Sequence, residues 1–271
     1  MTARRIRALF VLSAIATRPF HVHWTGRPIL LAVAGLAGLA SSTLAVAAEI
    51  EISWDRDLAF EYDRENYQRT LADLVDQARA QVSAELGVPL QRSLRVEVHS
   101  RARYEQHFGT AAAFSQGAHY SSGAIHVNGG NRLGGRFAGL LVHEMTHAFL
   151  DSWGTGGRLP TWLNEGLAER LAWRRMGLDD LAPNQVLELE SARRQGKLVP
   201  LPARAHLSAF GYLQCYAAVL FLEKKAGKAK VSAVVRRTLE GEPFERALDR
   251  ELRWSVGDVE REYAAWVEHL R

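Results

Sequence analysis

A chain of 271 residues, 47% of them apolar and with a single cysteine, has the material for one hydrophobic core and none for a disulfide within the chain. Its formal charge is +4, but five of the 34 basic residues and none of the 30 acidic ones fall in the first 48 positions. The rest of the chain is therefore −1 by the same count, which excludes the basic surface that nucleic-acid binding demands.

Residues 1–48 differ in kind from the rest of the chain. They carry Arg4, Arg5, Arg7, Arg18 and Arg27 and no acid, and from position 28 onward they are almost wholly small and apolar, ending Leu44-Ala45-Val46-Ala47-Ala48. A basic stretch, an apolar stretch and a small-residue exit form the pattern of a secretory signal cleaved near Ala47 or Ala48; left uncleaved, the same segment is an N-terminal membrane anchor. The chain is thus expected to be exported, periplasmic or secreted, with residues 49–271 as a single domain.

Ile50, Ile52 and Trp54 alternate with polar residues, which predicts a half-buried strand. Tyr67, Leu71, Leu74, Ala78, Val82 and Leu86 recur at helical spacing, and Gly87 and Pro89 end that helix. Alternation returns over 94–98, a second strand. A short helix comes next over 101–108, then a turn at Ser121-Ser122-Gly123 and a short strand over 124–128. Glycines 129, 130, 134 and 135 make a loop before a strongly apolar helix around 140–150. Beyond Asp151 and a glycine-rich loop the pattern is helical, over about 161–176, 183–195, 208–225, 230–239, 243–252 and 256–270. An extended Val199-Pro200-Leu201-Pro202 interrupts it. Ser255 and Asp258 are spaced to cap the last helix, and Val259, Tyr263, Trp266 and Leu270 form its apolar face. The fold class is α+β: a strand-rich part over 49–133 and a mostly helical part over 134–271. Cys215, in the apolar helix 208–225, reads as a small buried hydrophobe.

The apolar helix of 140–150 contains His143-Glu144-Met145-Thr146-His147. Residues four apart share a helix face, so both imidazoles can address one metal ion while Glu144 stands beside them to take a proton from a water. A charged Glu144 in so apolar a helix needs a partner. Glu165, in Asn164-Glu165-Gly166-Leu167-Ala168-Glu169, begins the next helix, and reversal of the chain would return it to the histidines. Two imidazoles and one carboxylate leave a coordination position open, the pattern of a catalytic zinc rather than a structural one. Glu169, one turn beyond Glu165, could accept from the outer N–H of a ligand histidine.

This two-part pattern resembles the gluzincin metallopeptidases, and among them the compact bacterial peptidase MA-like domains. The resemblance spans roughly residues 125–222. It implies a thermolysin-like zincin fold, a small mixed sheet followed by helices, with one zinc ion held by His143, His147 and Glu165. It further implies Glu144 as general base, with Glu169 and Asn164 supporting the ligands. The helix carrying Tyr212 resembles the one whose phenol, in such enzymes, donates to the oxyanion; Tyr216, one turn on, is its rival. Ala124, Ile125, His126, Val127 and Asn128 match the edge strand that pairs with an extended peptide substrate. The Gly-x-Met-x-Asn motif of the zinc aminopeptidases is missing, and the stretch from residue 49 to the motif is too short for their large β-domain, which favours an endopeptidase-like activity. The rival readings are a zinc-containing assembly module that cuts nothing, and a zinc hydrolase of a non-peptide amide or ester. His119 and His126 read as surface residues, and His99, His107, His206 and His269 show no spacing of their own.

Overall fold

The computed structural model of the chain describes residues 48–56, 58, 63–109, 117–154, 159–198, 201 and 207–270. Residues 1–47 of the expected export segment (1–48), most of the predicted extended stretch at 199–202 and most of the loop after Asp151 lie outside these residues. No helix among the described residues is long and apolar enough to cross a membrane.

The architecture is mixed α+β, a small four-stranded sheet followed by helices. Strands β1 (Ile50–Trp54), β2 (Leu94–His99), β3 (Ala118–Ser121) and β4 (Ala124–Asn128) lie in the order β1-β2-β4-β3. The first three neighbours run parallel and β3 is antiparallel to β4. Helix α1 (Arg64–Leu86) crosses over between β1 and β2. Asp63 caps it by accepting from the Glu65 amide at 3.0 Å, and Gly87 ends it in the left-handed region at φ 67°. Its buried stripe (Tyr67, Leu71, Val75, Ala78, Val82 and Leu86) packs with Val96, Val98, Ile125 and Val127 of the sheet in one core.

Strand β3 is absent from the expectation drawn from sequence, and it corrects that expectation in one respect. The strand of Ala124, Ile125, His126, Val127 and Asn128 is not at the edge; it is flanked by β2 and β3. Residues Ala118–Ser121 form the edge instead. A two-residue turn makes this possible: Ser122 (φ 52°) and Gly123 (φ 76°) both take positive φ, as a tight hairpin matching the twist of its strands requires. Short, half-buried and with two polar members, Ala-His-Tyr-Ser lacks the alternation that marks β1 and β2.

The remaining helices are α2 (Arg101–Phe108), α3 (Gly135–Ser152), α4 (Thr161–Arg175), α5 (Pro183–Arg194), α6 (Ala209–Ala226), α7 (Lys228–Leu239), α8 (Phe244–Leu252) and α9 (Val256–Glu268). The expected cap of α9 is present, with Ser255 Oγ accepting from the Asp258 amide and Asp258 Oδ2 from the Ser255 amide. Helix α3 is buried on most of its circumference, so its polar residues meet protein rather than water.

Helix α4 is clamped between α3 and α6, and glycine sets both approaches. A Cβ on Gly166 would stand 2.4 Å from the Cys215 carbonyl oxygen and 2.6 Å from Val219 Cγ2 on α6. A Cβ on Gly139 of α3 would meet Met176 at 3.0 Å and the Ala172 carbonyl at 3.2 Å. Ion pairs fix the azimuth of α4. Arg170 Nε and Arg174 Nη2 both reach Glu223 Oε2, at 2.8 and 2.7 Å, and Arg174 Nη1 reaches Glu85 Oε2 of α1 at 2.8 Å. Breaking such a network strands a buried guanidinium, since Arg170 is only 4% exposed.

Candidate metal centre

Helices α3 and α4 bring His143, His147 and Glu165 together as expected. His143 Nε2 and His147 Nε2 are 3.0 Å apart, and Glu165 Oε2 lies 3.7 Å from the first and 3.4 Å from the second. Ligands at 2.0–2.1 Å from a tetrahedral ion stand about 3.3–3.4 Å from one another, so the triangle has the size a metal ion needs. These residues form one of two groups among the described residues that could hold a metal ion.

The outer nitrogens decide which way the lone pairs point. Asn164 Oδ1 lies 2.8 Å from His147 Nδ1, and a carbonyl oxygen can only accept there, so Nδ1 carries the hydrogen. Glu169 Oε1 faces His143 Nδ1 at 3.4 Å, and Trp173 Nε1 donates to the other oxygen of Glu169 at 3.1 Å. Both imidazoles are thereby oriented with Nε2 toward the centre of the triangle. His143 is 2% exposed, whereas the side chains of His147 and Glu165 keep 16% and 22% of their surface, so the trio opens to solvent on one side only.

Glu144 accepts from the backbone N–H of Tyr120 through Oε2 at 2.8 Å. Tyr120 also donates its hydroxyl to Asp151 Oδ2 at 2.7 Å, so strand β3 is tied along two turns of α3. Burial pushes the Glu144 carboxyl up to about 7, against the pull of His147 and the Tyr120 amide. Burial likewise raises Glu169 to about 8, opposed by its bond from Trp173. Burial and then the neighbouring His147 pull His143 down to about 3, which keeps it a neutral imidazole. For the pair of His147 and Glu165, mutual attraction overcomes burial, holding the histidine up at about 9 and the carboxyl down at about 2. Glu144, Glu165 and Glu169 thus converge on the two imidazoles in an apolar place, surroundings that a divalent cation would suit.

The two tyrosines of α6 separate. Tyr212 is half-buried with its phenol pushed up by burial and then by Glu165, Glu169 and Glu144, the carboxylates of this centre. Tyr216 is 1% exposed; its ring stacks on Trp173 at 5.6 Å and lies under the Arg170 guanidinium at 6.0 Å. That packing removes Tyr216 as the rival: it is a core residue of the α4–α6 contact. Cys215, between them, is fully buried, and burial pushes its thiol up, as a core hydrophobe requires.

The second group is not visible from sequence spacing. Glu97 and His99 of β2 and His126 of β4 converge on the other face of the sheet. His126 is therefore neither an edge residue nor a surface one, and His99 is only 7% exposed. The one signal in the sequence is Glu-x-His, two residues sharing a face of one strand; their partner is chosen by register, which places His126 opposite Glu97. His206 lies outside the described residues. Comparison of the chain with known protein families, curated proteins and solved structures gives no match.

Proposed function

We propose that the chain is an exported zinc-dependent peptide hydrolase with a gluzincin-like active centre on a thermolysin-like scaffold. The observation that carries this reading is the convergence of His143, His147 and Glu165, open on one side, with Glu144 held alongside. Two imidazoles and one carboxylate suit zinc better than magnesium or calcium, which take oxygen ligands.

Zinc bound there would lower the pKa of a water and polarise a scissile carbonyl. The chain's own residues do the rest. Glu144, its carboxyl near 7 and its Oε2 fixed by the Tyr120 amide, accepts a proton on Oε1 and passes it to the departing amine. Asn164 and Glu169 hold the imidazoles in the ligand tautomer. Tyr212, kept protonated by burial and the nearby carboxylates, donates its hydroxyl to the developing oxyanion, a contact stronger in the transition state than in the ground state. An extended peptide is taken along β3, the sheet edge beside α3.

The test is a cleavage-site profile: purified full chain with zinc, incubated with a broad peptide library and read by mass spectrometry, beside Glu144→Gln. Cleavage by the wild type and its loss in a variant that still binds zinc is the expected result. Full zinc occupancy with no cleavage by the wild type would instead favour the assembly-module reading. The mass of the protein's N-terminus after expression in a bacterium tests export, with cleavage expected near Ala47 or Ala48.

A further inference from the structure

We propose that Glu97, His99 and His126 form a second site for a divalent ion of the zinc class, on the face of the sheet opposite the shared core. His99 Nε2 and His126 Nδ1 are 3.0 Å apart, and Glu97 Oε2 lies 3.8 Å from the first and 3.3 Å from the second. These sides bracket the roughly 3.3–3.4 Å between ligands of a tetrahedral zinc. They also match the helix-borne trio side for side, although the two share no element and no spacing.

Proton counting favours an ion over an ordinary pair of bonded histidines. The contact between the two rings uses one proton. That proton lies between the two nitrogens, so the Glu97 oxygen, itself only an acceptor, faces both rings without a donor from either. A metal ion at the centre gives all three lone pairs a partner.

The surroundings are built as a ligand's surroundings are. His99 Nδ1 is buried and makes no hydrogen bond, and faces Asp55 Oδ2 at 3.7 Å. Asp55 is itself anchored by the Ser100 amide at 3.0 Å and by Arg103 at 2.9 Å. Phe108 of α2 closes over the cluster, its ring 5.0 Å from His126 and 6.5 Å from His99, which lowers the local dielectric and shields the site. An ion there would fasten β2, β4 and the Asp55 loop together.

The experiment strips the purified full chain with a chelator, reloads it with Zn2+, desalts it and measures metal per chain by elemental analysis. The wild type is expected to hold two zinc ions, His143→Ala one, and His143→Ala combined with His126→Gln none. Glu97→Gln, at a position partly open to water, is the gentler variant; added to His143→Ala it should weaken the remaining zinc at least tenfold in a chelator competition. Cobalt in His143→Ala should show the intense visible bands of a four-coordinate ion. One zinc in the wild type and none in His143→Ala overturns the proposal, as does a second zinc that neither sheet variant weakens. Because His143→Ala isolates the sheet site, this outcome is independent of whether the helix-borne centre hydrolyses peptides.

Discussion

The two trios are the same triangle built by opposite means. On α3 and α4, two ligands come from one helical turn, and the third from a helix that glycine allows to approach closely. On β2 and β4, two ligands come from alternate positions of one strand and the third from its neighbour by register. The helix-borne trio has a firm acceptor behind one ring and Glu144 at its flank, and is open on one side. The sheet-borne trio has Asp55 behind one ring at the longer distance of 3.7 Å and Phe108 closing over it. On the proposed reading, three ligands make a place for an ion, and chemistry comes from what stands next to them: the buried Glu144 carboxyl, raised by burial, and an open face.

Substitutions should pull the two apart. The largest effect is expected from Glu144→Gln: turnover falls by about 10²–10⁴-fold with zinc content unchanged, measured as kcat on any peptide the wild type cleaves. Normal turnover in that variant would dissolve the distinction between the sites. Tyr212→Phe should come next, with kcat down by about 10²-fold and KM nearly constant, the mark of a contact made in the transition state; Tyr216→Phe should leave kcat alone. Glu169→Gln should weaken zinc at the helix-borne site by about 10–100-fold in a chelator titration.

Gly166→Ala acts on the scaffold. With a Cβ forced to within 2.4 Å of a backbone oxygen, α4 must shift from α6. A loss of about 1–3 kcal/mol is expected in thermal unfolding, together with weaker zinc binding because Glu165 is the preceding residue. The smallest effect is the most telling: Glu97→Gln should lower zinc content while peptide turnover stays at the wild-type rate. A parallel loss of turnover would mean that the sheet site supports catalysis.

Much of the fold is legible in the sequence. Helix α1, strands β1, β2 and β4, and the helices from α3 onward follow from periodicity and caps, because burying one face of an isolated element leaves its period in the sequence. Strand β3 leaves no such trace: it is four residues long, half-buried and held by the hairpin turn and by Glu144 rather than by its own pattern. With β3 unseen, the resemblance puts the sheet edge on β4, one strand away from where it lies. Tyr212 and Tyr216 stand one turn apart and are equivalent by spacing; packing of Trp173 and Arg170 on one of them separates their surroundings.

The sequence alone determined the convergence of His143 and His147, because a helix carries its geometry in its spacing; it singled out Glu165 as a carboxylate that a chain reversal returns to them, and Glu169 by its spacing from Glu165. It also determined that Glu144 would lie in an apolar helix and need company. Tertiary structure decided what a local rule cannot reach. It set the distance of Glu165 from the imidazoles through the glycine contact of α4 with α6, it made β3 the edge, and it joined Glu97 and His99 to His126 across two strands. The physical reason is that an α-helix closes its hydrogen bonds within one segment, whereas a strand acquires neighbours only when the whole sheet chooses its register.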